Sequence, residues 1–175
     1  MMLVKFLVLI YATCIVSLQA NTGPYDVLVY GATASGVMAA VAASEEGSRV
    51  LLVEPGRYVG GMVTGGLSHS DYGDRTVIGG LTLEFYRKVA EHYNTHVFYW
   101  RGPEPHVGEK IMLDWLHEHG VDLWFGKRVQ EVIKNGNIIE RVIFTDGTYA
   151  EASVYIDAGY EGDLMSRAGV TTDEG

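Results

Sequence analysis

The stretch that decides the fold is YDVLVYGATASGVMAAVAA, residues 25–43. An apolar run ends at Gly31, a short loop of small residues follows, and an alanine-rich segment resumes after Gly36. A continuous apolar run is typical of a strand buried in a parallel sheet. The small residues that follow allow a helix to lie close on that sheet. The stretch therefore predicts a strand, an anion-binding turn and a helix.

A second strand completes a strand–helix–strand unit. Gly47 is expected to end the helix, because glycine is common just beyond a helix carboxyl terminus. Residues 49–54, RVLLVE, then form another apolar run that ends in the carboxylate of Glu54. Strands joined by such a helix pair in parallel with a right-handed crossover. The sequence thus predicts an α/β fold built on a parallel sheet.

The chain after Glu54 changes in character. Residues 55–80 contain too many glycines for regular structure, and long loops of this kind are usually functional or disordered. Helices are predicted over 81–93 and from Pro105 to Gly120, because apolar residues recur at helical spacing and the second segment has a proline start and a glycine stop.

The last third of the chain predicts a small antiparallel meander. Asn-Gly and Asp-Gly between alternating segments are strong hairpin signals, and they occur in KNGN (134–137) and TDGT (145–148). We expect the last strand of the meander to run into VYIDAGYEGD, residues 154–163. The strand-like segments are VDLWF (121–125), RVQEVI (128–133), IIERVIFT (138–145) and TYAEASVYIDA (148–158).

Length and charge exclude some classes of protein. The 175 residues fit one domain of ordinary size with a real core. The formal net charge is -9, and no cluster of lysine or arginine rises above the background. Because binding to a phosphate backbone needs such a cluster, no nucleic-acid partner is expected.

The first 20 residues predict a secretory signal peptide. Lys5 precedes an apolar stretch to about Leu18, and the small residue Ala20 stands before polar residues. Cleavage near Ala20 would leave residues 21–175 as a secreted or periplasmic domain with no stable membrane span. The alternative, a membrane anchor, needs an apolar run longer than these roughly 13 residues. The only cysteine, Cys14, lies in this leader, so no disulfide or redox dithiol is expected.

The loop GATASG, residues 31–36, carries a variant of a phosphate-binding glycine pattern. Gly31 would make the sharp turn out of the strand, and Gly36 would let the helix pack on the sheet. Thr33 replaces the glycine that lets the backbone touch a pyrophosphate, although its hydroxyl is able to donate to a phosphate oxygen. A strand-to-helix turn without a ligand is the alternative for this loop alone.

Two features downstream favour FAD over other dinucleotides. Glu54 lies 18 residues beyond Gly36, where a carboxylate accepts hydrogen bonds from ribose hydroxyls and repels a 2′-phosphate. A solvated glutamate at the end of the strand is the alternative. The doublet Gly60-Gly61, followed by Met62, lets the loop pass along an extended FAD, whereas nicotinamide folds have no need of it.

Five motifs together carry a resemblance to a known family. In chain order they are YDVLVYGATASG, LLVEPGRYVGGMVTGGL, GGLTLEFYRKV, EPHVGEKIMLDWL and YIDAGYEGDLMSRAGV. The chain resembles a family of FAD-dependent oxidoreductases, glutathione-reductase-like flavoproteins of the two-dinucleotide-binding type that are often exported by bacteria. The resemblance covers essentially the whole chain after the leader. It implies a Rossmann-type FAD-binding domain with an inserted antiparallel β-meander.

The same resemblance implies which residues contact FAD. Family members more often have threonine where this chain has Gly159, and their loop is itself similar to GATASG. Glu54 would bind the AMP ribose, and Val129 would touch adenine through its backbone groups. The pyrophosphate would lie against Gly31, Thr33, Ala34, Ser35 and Gly36 and near Ala158 and Gly159, while Gly60, Gly61 and Met62 would run toward the isoalloxazine.

The activity implied by the resemblance is hydride transfer from a small organic substrate to flavin. Family members are several hundred residues long, so we expect this chain to be an amino-terminal portion, a fragment or truncated product without its substrate domain. A non-catalytic nucleotide-binding or interaction module left by truncation is the first alternative. An NAD-dependent enzyme is the second alternative, which the Gly60-Gly61 doublet disfavours.

The sequence alone does not identify a catalytic residue. His69, in the glycine-rich loop, is a candidate for a general base or for a covalent flavin attachment point. A loop histidine bonded to backbone is the simpler interpretation. His92 and His96 are four residues apart without a third ligand in the sequence, so no metal site is expected.

Overall fold

The strand–helix–strand unit forms as the sequence predicts. The computed structural model describes residues 24–67, 73–97 and 102–171. Gly47 ends the helix with a φ of +83°, and its N–H donates to the Ser44 carbonyl at 2.9 Å. The unit comprises strand β1 (Tyr25–Tyr30), helix α1 (Ala34–Glu45) and strand β2 (Val50–Glu54).

Four parallel strands form the main sheet. Strands β3 (Asp122–Phe125) and β7 (Ala152–Asp157) flank the unit, and the strand order is β3-β2-β1-β7. In the parallel ladders Val29 lies opposite Leu52 on one side and Ile156 on the other. Because all four strands are parallel, their carboxyl ends meet at one edge, and the loops that follow β1, β2 and β7 converge there.

Two helices cover one face of this sheet with α1. Helix α2 (Gly80–His92) and helix α3 (Pro105–Glu118) match the predicted helices closely, and Gly120 lies just past α3 with a φ of +64°. Their buried faces contribute Phe85, Val89 and Trp115 to one hydrophobic cluster with the small residues of α1. The spacing of these apolar residues along the helices explains the burial.

The other face of the sheet packs against a three-stranded antiparallel meander. Phe144 and Val142 of the meander pack with Leu28 and Leu51 of the sheet in a second hydrophobic cluster. Gly136 and Gly147 occupy the two predicted hairpin turns with φ of +61° and +81°. The meander comprises β4 (Val129–Asn135), β5 (Ile138–Phe144) and β6 (Tyr149–Ala150).

The prediction placed too many strands in the meander. Residues 121–125 supply β3, which pairs with β2, and the segment 148–158 divides at Glu151 into β6 and β7. The Glu151 carbonyl accepts the Tyr25 N–H at 2.9 Å, which starts the pairing of β7 with β1. Strand-like periodicity does not encode which sheet a strand joins, so this division is invisible in the sequence.

The glycine-rich segment contains short helical turns. Two 3₁₀ turns lie at Gly61–Val63 and Arg75–Val77, and helix α4 (Asp163–Arg167), which the sequence analysis missed, follows β7. His69 and the leader lie outside the described residues. Among the residues that are described, no helix is long and apolar enough to cross a bilayer.

Candidate functional site

A cavity of about 430 Å³ opens at the carboxyl edge of the parallel sheet. Three chain segments surround it: the loop after β1, the loop after β2 and the loop after β7. Of the residues predicted to bind a cofactor, the cavity is lined by Gly31, Thr33, Glu54, Gly61 and Gly159. The others lie near it, with Ala34, Ser35 and Gly36 in the first turn of α1, Gly60 and Met62 on either side of Gly61, Val129 next to Arg128, and Ala158 next to Gly159.

The loop after β1 has no room for side chains at its two glycines. A Cβ on Gly31, whose φ is +97°, would lie 2.8 Å from the Gly159 nitrogen. A Cβ on Gly36 would overlap the carbonyl oxygen of Gly31. The first turn of α1 therefore lies directly on the loop, and the loop lies directly on the segment after β7. This close approach leaves a narrow shelf at a helix amino terminus, where the free N–H groups favour an anion.

Thr33, which replaces the middle glycine, points inward. Its side chain caps α1 by accepting the Gly36 N–H at 3.2 Å, and its hydroxyl donates to the Ala158 carbonyl at 2.8 Å. The Ser35 hydroxyl lies 2.9 Å from the Thr33 hydroxyl oxygen. With the residue 7% exposed, the Thr33 hydroxyl binds the loop to the end of β7, so its proton is already donated within the protein, and donation to a phosphate stays a prediction.

Glu54 ends β2 at the other side of the cavity. Its two carboxylate oxygens accept the Ala32 N–H at 2.8 Å and the Gly56 N–H at 2.6 Å. Each oxygen retains a second lone-pair direction, so the carboxylate is still able to accept from hydroxyl groups of a ligand. The two bonds fix its position against the loop after β1.

The doublet Gly60-Gly61 is required by packing on both sides. A Cβ on Gly60, whose φ is +101°, would overlap the Thr64 side chain, and one on Gly61 would overlap the Tyr160 hydroxyl oxygen. The Gly60 N–H donates to the Ala32 carbonyl at 2.7 Å, which joins the loops after β1 and β2. Met62 follows in the 3₁₀ turn with its side chain exposed.

Val129, the predicted adenine contact, is buried at the start of β4. Its N–H donates to the Tyr30 hydroxyl at 3.1 Å, so that amide already has a partner. Burial raises the pKa of Tyr30, while the bond from Val129 acts in the opposite direction. The neighbouring Arg128 lines the cavity instead of Val129.

Several cavity residues lie outside the predicted set. Each lies within four residues of a predicted residue along the chain, but no pattern of its own marks it as a cavity residue. In addition to Glu54, two arginines and two carboxylates line the cavity, so its wall carries both positive and negative charge. The additional lining residues are Tyr30, Pro55, Gly56, Arg57, Tyr58, Arg128, Tyr160, Glu161 and Asp163.

This geometry defines a class: a dinucleotide-binding α/β domain with a carboxylate and a glycine-lined helix terminus on one cavity. A family model of FAD-dependent oxidoreductases matches residues 26–175. The chain belongs to the FAD-dependent oxidoreductase family, an enzyme family whose cofactor is FAD. No curated protein sequence matches it.

Solved structures show the same FAD-binding Rossmann-type fold. L-proline dehydrogenase from P. horikoshii is 15% identical with a TM-score of 0.64, over 86% of this chain and 57% of that one. Flavin-dependent brominase Bmp2 is 19% identical with a TM-score of 0.63, over 85% and 41%. L-amino acid deaminase from Proteus vulgaris is 15% identical with a TM-score of 0.57, over 78% and 47%. The chain thus spans 57% or less of the length of these neighbours, and the likeness concerns the fold alone.

The residues around the cavity fit FAD in two respects. The absence of Cβ atoms at Gly31 and Gly36 lets the segment after β7 and the first turn of α1 pack directly on the loop, which places the amino terminus of α1 at the cavity, where a diphosphate would lie. The Glu54 carboxylate is positioned to accept ribose hydroxyls at the end of the second strand. Within the described residues, no group of three or more histidine, cysteine, aspartate or glutamate side chains is placed to hold a metal ion.

Proposed function

We propose that this chain is the FAD-binding portion of an oxidoreductase that takes hydride from a small organic substrate. The observation that carries the proposal is the convergence of the loops after β1, β2 and β7 on one cavity. Flavin, when bound, supplies the two-electron chemistry, and the protein supplies orientation and electrostatics.

The proposed role of the predicted residues follows from their chemistry. Glu54 would hold the ribose of the adenosine half, because its carboxylate is anchored by two backbone amides and faces the cavity. The amino terminus of α1 would receive the diphosphate beside Gly31 and Gly36. The segment Gly60, Gly61 and Met62 would then lead toward the flavin.

We assign no substrate-contacting residue within the described part of the chain.

The proposal includes a domain boundary, with residues 21–175 as the FAD-binding domain and the leader as a signal peptide. It also includes export to a secreted or periplasmic location, which the apolar leader with Lys5 and Ala20 supports. Mass spectrometry of the protein exported by a bacterial host tests this, and a chain that retains Met1 would contradict it.

The absorption spectrum of the purified chain tests the cofactor proposal directly. After incubation with FAD and removal of excess, we expect flavin bands at about 375 and 450 nm, the marker of this cofactor class. Addition of FAD should also raise the melting temperature, because a ligand that binds only the folded state stabilises it. A folded, colourless protein that FAD does not stabilise would contradict the proposal, and stabilisation by NAD instead would favour a nicotinamide enzyme.

A further inference from the structure

Tyr160 is an exposed side chain with an unusual position. The residue is 57% exposed on the loop between β7 and α4, and it lines the cavity. Its hydroxyl oxygen nevertheless accepts the Met62 N–H at 2.8 Å, across the cavity mouth. The side chain therefore connects the loop after β7 with the loop after β2 at the side where the diphosphate shelf and the glycine doublet meet.

Asp157 sets the course of the loop that carries Tyr160. At the end of β7, its two carboxylate oxygens accept the Gly159 N–H at 2.9 Å and the Met165 N–H at 2.8 Å. Gly159 in turn lies against Gly31, so the loop is held at both of its ends. The hydroxyl of Tyr160 is thereby aimed across the cavity by backbone contacts that do not depend on a ligand.

The hydroxyl retains a free donor. A tyrosine hydroxyl has one proton and two lone pairs, and the Met62 N–H occupies one lone pair. Within residues 24–67, 73–97 and 102–171, that hydroxyl donates to no acceptor. A donor that lies in the cavity beside the amino terminus of α1 is suited to an anionic oxygen, since hydrogen bonds to charged groups are the strong ones.

Gly61 leaves the space that the Tyr160 hydroxyl occupies. A Cβ at Gly61 would overlap the Tyr160 hydroxyl oxygen and would lie 3.3 Å from the Thr33 Cα. The second glycine of the doublet is thus the residue that lets the hydroxyl reach Met62. The same packing places the hydroxyl next to the loop that surrounds the diphosphate shelf.

We propose that Tyr160 binds FAD, with its hydroxyl donating to a diphosphate oxygen while the Met62 amide holds it in place. The inference rests on the proposed FAD-binding function. It assigns to the loop after β7 a side-chain contact in addition to the backbone of Ala158 and Gly159. Tyr160 is a binding residue in this account and takes no part in the redox step.

Calorimetric titration of the purified chain with FAD and with ADP, which keeps the diphosphate but lacks flavin, tests the proposal. Tyr160→Phe should weaken both ligands about 10- to 100-fold, the range for a lost hydrogen bond to a charged group. Tyr93→Phe is the matched control, because the Tyr93 hydroxyl also accepts a backbone N–H, that of Glu104 at 3.1 Å, but lies away from the cavity. It should leave both affinities unchanged.

Gly61→Ala gives a second route to the same contact. It should displace the hydroxyl and weaken both ligands, and adding it to Tyr160→Phe should cause little further loss. Equal affinities in Tyr160→Phe and the natural chain would overturn the inference while leaving FAD binding intact. A loss for FAD without a loss for ADP would also overturn it, since the contact would then lie on the flavin. Failure of the natural chain to bind FAD would instead overturn the proposed function on which it rests.

Discussion

Two glycine-rich segments of this protein differ in what their glycines do. In the loop after β1, Gly31 and Gly36 face backbone atoms so closely that a single added carbon has no place. In the segment between β2 and α2, the closely packed doublet Gly60-Gly61 is followed by Gly66 and Gly79, which have open space where a side chain would stand. Contacts within the described chain explain why the first segment has glycine at these positions. In the second segment, such contacts do not explain Gly66 and Gly79.

Exposure of apolar side chains follows the same division. Around the first loop, Ala32 and Thr33 are buried, and their polar groups are bonded to Glu54 and to the Ala158 carbonyl just after β7. In the second segment, Leu67 is 64% exposed and Val77 is 79% exposed. The comparison teaches that glycine count alone does not identify a binding loop; the contacts that exclude a side chain do.

Gly36→Ala is expected to have the largest effect. The new Cβ would overlap the Gly31 carbonyl oxygen, so the loop or the helix must move, and we expect a loss of about 3 kcal/mol or more in the free energy of unfolding. Urea denaturation measures it. Gly73→Ala is the control from the second segment, because its φ lies outside the left-handed region and a Cβ there would meet open space, and it should change stability by less than about 1 kcal/mol. Equal losses in the two variants would break the comparison.

Glu54→Gln is expected to weaken FAD binding about 10- to 100-fold, because it removes the charge that accepts the ribose hydroxyls and exchanges one acceptor for a donor. Calorimetric titration with FAD measures the change. Asp26→Asn is a matched control: Asp26 also accepts a backbone N–H, that of Arg49 at 2.7 Å, but precedes the carboxyl edge by the length of β1. A similar loss of FAD affinity in both variants would show that general destabilisation, not ribose binding, is responsible.

Thr33→Val should destabilise the protein by about 1–2 kcal/mol, because it leaves the Ala158 carbonyl and the Gly36 N–H without their side-chain partner. Thr33→Ser keeps the hydroxyl and should cost less than half as much. Thermal denaturation of the two variants separates the hydroxyl from the methyl group. If serine were as harmful as valine, packing of the methyl group would explain Thr33 better than the bonds do.

Substitution of Asp146 is expected to have the smallest effect on the free energy of unfolding. The Lys127 side chain, and after it Thr148, lower the pKa of Asp146 from 3.8 to about 2. Because the folded pKa is lowered, its contribution to stability is present above about pH 4 and is lost as the pH falls toward 2. Partial exposure to solvent keeps the contribution below about 1 kcal/mol.

Urea denaturation between pH 5 and pH 2.5 checks this contribution. Asp146→Asn should remove part of the decline seen in the natural chain over that interval, and an unchanged decline would contradict the assignment. The effect concerns the site indirectly, since Gly126 and Lys127 donate their N–H groups to the carbonyls of Gly56 and Glu54 at 2.9 and 3.2 Å.

The sequence predicts the parts of this fold that local pattern determines. The strand–helix–strand unit, the helices predicted over 81–93 and from Pro105 to Gly120, and both hairpin turns are confirmed, because glycines and apolar spacing fix them locally. The prediction wrongly placed β3 and β7 in the meander, whereas both belong to the parallel sheet, since partner choice between strands depends on tertiary contacts. Helix α4 is only five residues long and has no periodicity to detect.

The candidate site was predicted in its glycines and Glu54 but not in its longer side chains. Gly31, Gly36 and Gly61 are dictated by close contacts that a glycine pattern records in the sequence. Tyr160 and Arg128 reach the cavity from loops whose course depends on β7 and on the meander, so no local pattern indicates them. The FAD roles of all these residues stay predictions until a ligand is bound.

An NMR titration of the isotope-labelled chain with FAD tests the central claim most directly. If FAD occupies the cavity between the three loops, the largest amide shifts should fall on Ala34, Ser35, Met62 and Gly159, with little change at the hairpin turns of Gly136 and Gly147. Shifts confined to the meander, or no shifts at saturating FAD, would contradict the account.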